Sequence, residues 1–200
     1  MPLEKYRSKR NFTRTPEPSG GRRHRSDRIF VIQKHDARRL HYDFRLEVRG
    51  VLASWAVPKG ASLDPSVKRL AIRTEDHPIE YADFEGVIPE GEYGAGPVMV
   101  WDKGTYSPEG DFTPEQQLAR GEIKVTLNGV KLHGGFVLLY PRKERGEPGE
   151  KTRWLLVKRR DEYADPSWRI EDPALDWSVL TGRTLTEIEE NRPAKKHISA

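Results

Sequence analysis

The sequence predicts a mainly β domain, an antiparallel barrel or sandwich. Seven or eight short β-branched and aromatic runs are separated by closely spaced turn residues. Asn128-Gly129 stands between two such runs, and both residues tolerate the positive φ that a tight hairpin requires. Helical periodicity, by contrast, is scarce.

Residues 1–28 have almost no apolar periodicity, and Thr15-Pro16-Glu17-Pro18-Ser19-Gly20-Gly21 is a run of loop formers, so a mobile, disordered arm is expected there. Ile29 to Gln33 opens the first strand. Leu40 to Val48 alternates strictly, Arg49-Gly50 turns, and Val51 to Val57 runs on to Pro58-Lys59-Gly60. Further strands are expected over 69–74, 97–101, 122–127, 132–140 and 153–159. Thr113 to Arg120 reads as a short helix, with Thr as N-cap, Pro at the first position and Gly121 as its stop. A second short helix is expected within Ser178 to Glu190. Pro141 to Lys151 reads as a long mobile hairpin loop and Asn191 to Ala200 as an unpacked tail. The folded domain is therefore expected over 29–190, between the arm 1–28 and the tail 191–200.

A chain of 200 residues accommodates one such domain. The absence of cysteine excludes a disulfide framework, thiolate metal sites and thiol catalysis. No apolar run approaches the roughly 18–20 residues of a membrane span. Met1 to Arg10 lacks the apolar core of a secretion signal, so a soluble, intracellular protein is expected. Charge is uneven. Residues 1–28 hold nine Lys/Arg against three acids, +6 within a chain of net +4, which leaves −2 on the rest. A basic arm on a slightly acidic body suits a polyanion such as nucleic acid; a solvated leader is the other reading.

The most informative segment is Gln33 to Glu47. Strand side chains alternate faces, so Tyr42, Phe44, Leu46 and Val48 form an apolar face while His41, Asp43, Arg45 and Glu47 share the other. A short connection can return His35 beside His41. Two imidazoles and a carboxylate suit Mn²⁺, Fe²⁺, Co²⁺, Ni²⁺ or Zn²⁺, and the guanidinium of Arg45 suits a phosphate oxygen. A solvent-facing edge strand with ordinary ion pairs is the bland alternative; His35, Arg45 and His77 together tip the balance away from it. His77 precedes Pro78, which favours an extended backbone and a projecting side chain, able to act as acid, phosphate donor or third imidazole. Tyr81 follows it as a hydrogen-bond or proton donor. The nearby Glu75, Asp76, Glu80, Asp83 and Glu85 would repel a polyanion unless neutralised. The glycine-dense Pro89 to Pro97 reads as structural turns, since no helix N-terminus follows it. The five tryptophans read as core and lid residues, and His133 as a packed or exposed strand residue.

These residues carry a resemblance. Phe30 to His35, His41-Tyr42-Asp43-Phe44-Arg45-Leu46-Glu47, Trp55 to Gly60, Asp76-His77-Pro78, Tyr81 to Gly86 and Pro89-Glu90-Gly91-x-Tyr93-Gly94-x-Gly96 resemble the 3′-phosphoesterase domain of bacterial DNA ligase D and its stand-alone bacterial and archaeal relatives. The resemblance runs from Lys9 to about Ile188. It implies a small closed antiparallel β-barrel enzyme that heals DNA 3′ ends in non-homologous end joining. Such an enzyme depends on Mn²⁺, with Co²⁺ or another divalent transition metal as a substitute. It removes a 3′-terminal ribonucleoside and then hydrolyses the 3′-phosphate to a 3′-OH. By motif position, His35, His41 and Asp43 would hold the metal, Arg45 and His77 would contact the scissile phosphate, and Tyr81 would assist. Gln33, Lys59, Arg69 and Glu75 would support the site, and Arg10 and Glu17 would serve the ribonucleoside-removing step. The family's arm commonly reads Arg-Asp-Phe; here it is Arg10-Asn11-Phe12, which keeps hydrogen bonding and loses a charge. The implied partners are a primer–template with a 3′-phosphate or 3′-ribonucleotide end, and an end-joining polymerase, ligase and Ku. The implied setting is a nucleoid-associated cytoplasmic monomer, with no membrane. No Lys-x-Asp-Gly is present, so no adenylating lysine is expected. Two other classes stay open: a non-haem Fe(II) oxygenase using His41, Asp43 and either His77 or His133, and a non-catalytic DNA-end adaptor.

Overall fold

The computed structural model describes residues 3–21, 28–141 and 152–195. Eight strands close a barrel, each antiparallel to its neighbours. They are β1 (Ile29–Asp36), β2 (Leu40–Val48), β3 (Val51–Val57), β4 (Lys68–Arg73), β7 (Gly96–Pro108), β8 (Glu122–Gly129), β9 (His133–Leu139) and β10 (Arg153–Lys158). The order around the barrel is β1-β2-β3-β4-β10-β9-β8-β7, and β7 returns to β1. Two short strands lie outside this circuit: β5 (His77–Pro78) pairs with β3, and β6 (Gly86–Ile88) pairs with β7. The helices are short: α1 (Glu4–Ser8), α2 (Pro114–Arg120) and α3 (Leu185–Glu189). Among the described residues no helix is long and apolar enough to cross a membrane.

Local chemistry accounts for the connections. The Arg49-Gly50 turn places both residues at positive φ (54° and 76°), the backbone hand that matches the twist of paired strands. Helix α2 carries the expected caps: Thr113 and Gln116 form a reciprocal capping box, and Gly121 ends the helix at φ 77°. Helix α3 is shorter than the expected Ser178 to Glu190, because Thr184 caps it with Glu187 only after the turn around Gly182. The hairpin between β8 and β9 exists, but its turn lies beyond Asn128-Gly129, at Val130-Lys131. The carboxylate of Asp102 fixes it there by accepting the backbone N–H groups of Val130, Lys131 and Leu132. Gly129 serves close approach instead: a Cβ there would stand 2.5 Å from Asp102 Oδ2 and 2.6 Å from the Phe30 ring.

Two apolar cores result. The barrel interior takes residues from all eight strands, including Phe44, Trp55, Trp101, Phe136, Trp154 and Leu156. A second core lies on the outer face of β1, β3 and β7, where Val31, Leu52, Val98 and Val100 are covered by Tyr6 and by the segment from Ile79 to Ile88. Residues 3–21 thus depart from the expected mobile arm. Tyr6 is fully buried and its hydroxyl donates to the Pro18 carbonyl at 2.7 Å. The expected disorder of residues 1, 2 and 22–27, and the mobile loop at 142–151, fall outside the described residues, as does the end of the tail at 196–200; the tail's 191–195 are exposed.

Candidate metal and phosphate site

The hairpin of β1 and β2 builds the centre of the site. Register sets His35 opposite His41 and Gln33 opposite Asp43, all on the outer face of the barrel. The ligand atoms of His35, His41 and Asp43 lie within 4.8 Å of one another. His35 Nδ1 and His41 Nε2 each stand 3.7 Å from an Asp43 oxygen. The remaining ring nitrogens are committed elsewhere. His35 Nε2–H donates to the Gly94 carbonyl at 2.7 Å, and His41 Nδ1–H donates to the Arg39 carbonyl at 3.0 Å. A carbonyl only accepts, so these contacts fix both tautomers and turn the lone pairs of His35 Nδ1 and His41 Nε2 towards Asp43. Two neutral imidazoles and one carboxylate, so oriented, fit a divalent transition metal. Burial alone would raise the Asp43 carboxyl, but the Arg45 guanidinium outweighs it and holds it well below the usual carboxylate range.

Arg45, buried beside this trio, has a close neighbour at each of its three nitrogens and keeps further N–H groups on Nη1 and Nη2. Nε donates to Gln33 Oε1 at 2.8 Å, Nη2 donates to Asp43 Oδ2 at 2.9 Å, and Nη1 lies 2.9 Å from His77 Nδ1. Gln33 is locked in turn, its amide donating to the carbonyls of Tyr81 and Phe84. His77 sits between two guanidinium groups, since Arg10 Nη2 approaches its Nε2 at 3.3 Å. Burial, then Arg45 and Arg10, push the His77 imidazole well below its ordinary pKa, so it is neutral.

The N-terminal segment completes the wall. Glu17 Oε1 accepts from Arg10 Nε at 2.8 Å and from the Tyr81 hydroxyl at 2.9 Å, while its Oε2 accepts from Thr15. Burial and the Glu17 carboxylate raise the Tyr81 phenol well above its ordinary pKa. Glu75 pairs with Lys9 (2.8 Å) and Arg10 (3.2 Å). Three further acids of that block are also occupied: Asp76 by Arg73, Asp83 by Lys103 and Glu85 by Arg183. The repulsion expected of them is thereby offset.

These groups open onto a cavity of ≈ 1080 Å³ lined by Arg10, the metal trio, Arg45, Glu75, His77, Tyr81, the hairpin tip at 37–39 and the loop at 90–95. Glu17 and Gln33 reach it through Arg10, Tyr81 and Arg45. Two of the expected supporting residues are not brought in. Lys59 is exposed in the turn after β3 and outside the cavity lining. Arg69 shares a face of β4 with Ala71, which packs inside the barrel, whereas the site lies on the outer face. His133 packs against Tyr163, the rings tilted with centroids 5.5 Å apart, and is not in the cavity, so the expected third imidazole of an oxygenase set is supplied by neither His133 nor His77; His35 occupies that place.

Several participants were not named as site residues from the sequence. The Gly94 carbonyl is a backbone group. Gly96, read as part of a structural turn, lies so close to the Asp36 carbonyl that a Cβ would stand 1.9 Å from it. Ser54, Lys9 and Tyr93 also reach the site: Ser54 Oγ lies 3.3 Å from His77 Nδ1, and Lys9 donates to the Tyr93 hydroxyl at 3.3 Å.

The chain is similar to known proteins over most of its length. The family model described as the DNA ligase D 3′-phosphoesterase domain matches residues 33–140. The multifunctional non-homologous end joining protein LigD of Pseudomonas aeruginosa is 52% identical over 192 residues, 92% of this chain and 22% of that protein. The multifunctional non-homologous end joining DNA repair protein LigD of Mycobacterium tuberculosis is 50% identical over 145 residues, 72% of this chain and 19% of that protein. LigD of Mycolicibacterium smegmatis is 44% identical over 166 residues, 80% of this chain and 21% of that protein. The chain therefore spans about a fifth of the length of the relatives it matches.

Proposed function

The chain belongs to the DNA ligase D 3′-phosphoesterase domain family, and from that premise we propose that it is a divalent-metal-dependent phosphoesterase that heals DNA 3′ ends in non-homologous end joining. Its substrates are a primer–template ending in a 3′-ribonucleotide, from which it removes the nucleoside, and the resulting 3′-phosphate, which it hydrolyses to a 3′-OH. The observation that carries this reading is the juxtaposition of a metal-ligand trio with a buried arginine fork in one cavity.

His35, His41 and Asp43 would hold the metal, with Mn²⁺ as the working ion and Co²⁺ as a substitute. Bound there, it would supply Lewis-acid polarisation of a phosphoryl oxygen. Arg45 and Arg10 offer guanidinium donors to the oxygens that gain charge in the transition state. The same two groups keep His77 neutral in the free protein. An arriving phosphate offsets their field, so the His77 imidazole takes up a proton with substrate in place and becomes the acid for the leaving oxygen. Tyr81 is held as a neutral phenol against Glu17 and orients the substrate through its hydroxyl. Glu17 and Arg10, on the N-terminal segment, position the additional nucleoside in the first step. The enzyme acts as a cytoplasmic, nucleoid-associated monomer alongside the polymerase, ligase and Ku of end joining.

The test is direct: incubate the protein with primers ending in 3′-phosphate or 3′-ribonucleotide, with and without Mn²⁺. The reading requires metal-dependent conversion of both to 3′-OH. No product from either contradicts it.

A further inference from the structure

Nearly every charge at the cavity has a partner. Asp43 pairs with Arg45, Glu75 with Arg10 and Lys9, and Glu92 with Arg14. Arg38 and Arg39 line the same cavity, are both exposed, and have no carboxylate at ion-pair distance among the described residues. Glu90, exposed in the facing loop, is the one lining carboxylate without a cation among those residues, so two unpaired guanidinium groups stand against one unpaired carboxylate at the mouth.

The position of these two arginines matters more than their charge. They form the connection of the β1–β2 hairpin, whose ends are the metal ligands His35 and His41. The Arg39 carbonyl takes the Nδ1–H of His41. The backbone of this tip is therefore committed to the metal trio, while its two side chains have no ion-pair partner among the described residues. Adjacent guanidinium groups repel one another, and an anion from outside is the group that satisfies both. Their planar donor forks match phosphate oxygens.

The reacting phosphate already has Arg45 and Arg10. We propose that Arg38 and Arg39 clamp the phosphates next to it in the same strand, so that the site selects the 3′ end of a polynucleotide over a free nucleotide. This rests on the phosphoesterase reading above. The clamp lies beside the ligands, so the strand is held within a nucleotide or two of the reacting bond, and the clamp adds affinity only for substrates long enough to reach it.

The probe is a fluorescent DNA primer–template ending in 3′-phosphate, with binding followed against salt concentration in the presence of Mn²⁺. Releasing the counterions of two phosphates contributes about 1.4–1.8 units to the slope of log K against log salt. R38A/R39A is expected to lose that share of the slope and about tenfold or more in affinity at moderate salt. R38K/R39K, which keeps the charges, restores most of the slope, and Lys124→Ala on the distant strand β8 leaves it unchanged. Mn²⁺ affinity, measured by calorimetry without DNA, stays at the wild-type value in R38A/R39A. On 3′-phosphorylated oligonucleotides of increasing length, kcat/KM rises with length for the wild type and stays flat for R38A/R39A. An unaltered slope overturns the proposal, and so does loss of Mn²⁺ binding alongside DNA binding, which would make the tip a structural support of the trio. If the variant loses its slope while the wild type releases no phosphate from any primer, the clamp stands and it is the reaction that fails.

Discussion

The Nε2–H of His35 is held by the carbonyl of Gly94 at 2.7 Å, so a loop more than fifty residues downstream sets which nitrogen of a first-strand imidazole is free. Gly94 sits at φ 79°, and a Cβ there would meet His35 Cε1 at 3.4 Å. Gly94→Ala is therefore expected to displace the carbonyl and weaken Mn²⁺ or Co²⁺ binding by about 10–100-fold, the usual effect of losing such an outer partner. Calorimetric titration checks this, with circular dichroism confirming that the barrel persists.

Arg45 carries a second prediction. Its Nε and Nη2 donate to Gln33 and Asp43 while Nη1 lies against His77, an arrangement that an ammonium cannot reproduce. Arg45→Lys keeps the charge and is expected to lower kcat for 3′-phosphate release by about 100-fold or more, as losing a transition-state donor does. Equal kcat in the two proteins would show that charge alone is needed there.

The departure at Asn11 has a structural reading. Its Oδ1 accepts from the Thr13 N–H at 3.1 Å and from the Thr13 hydroxyl at 2.7 Å, and the residue is exposed outside the cavity lining. Asn supplies that turn as well as Asp does. Asn11→Asp is expected to change ribonucleoside removal by less than about threefold, whereas Glu17→Gln, which loosens both Arg10 and Tyr81, lowers that step more than 3′-phosphate release. Parallel assays on the two primers separate these outcomes.

His77 makes stability depend on pH. Its pKa in the fold lies well below 6.5, chiefly through burial and then through Arg45 and Arg10. Below pH 6.5 the unfolded chain takes up a proton that the folded chain refuses, so stability falls as pH drops towards the folded pKa, by at most about 1.4 kcal/mol per pH unit for this group. Urea unfolding of metal-free protein between pH 7 and 4.5 measures it, and His77→Gln is expected to show a shallower decline than the wild type.

Much of the site was legible in the sequence because strand alternation is rigid: His41, Asp43 and Arg45 share a face in any register, and a short connection brings His35 back. The packing of the N-terminal segment was not legible, although the resemblance named Arg10 and Glu17 within it. It is held by one buried aromatic, Tyr6, and by ion pairs to distant residues, and these leave no periodicity to read. The inner face of β4, which carries Arg69, was hidden for another reason. In Lys68–Arg73 the apolar side chains Leu70 and Ile72 look like the core face, yet Leu70 is 40% exposed and Ala71 points inward. Alternation gives two faces and does not say which is inside. The barrel's closure came from the resemblance, since the spacing of the strands allowed a sandwich equally well.

Metal binding and phosphate release are to be compared on one preparation each of wild type and Asp43→Asn. Mn²⁺ is titrated calorimetrically, and inorganic phosphate released from a 3′-phosphate primer is followed over the same metal concentrations. The expected result is that the wild type binds one Mn²⁺ and releases phosphate in proportion to its occupancy, while Asp43→Asn, still folded, loses both. Phosphate release by Asp43→Asn at the wild-type rate, or by wild type fully stripped of metal, would contradict the account.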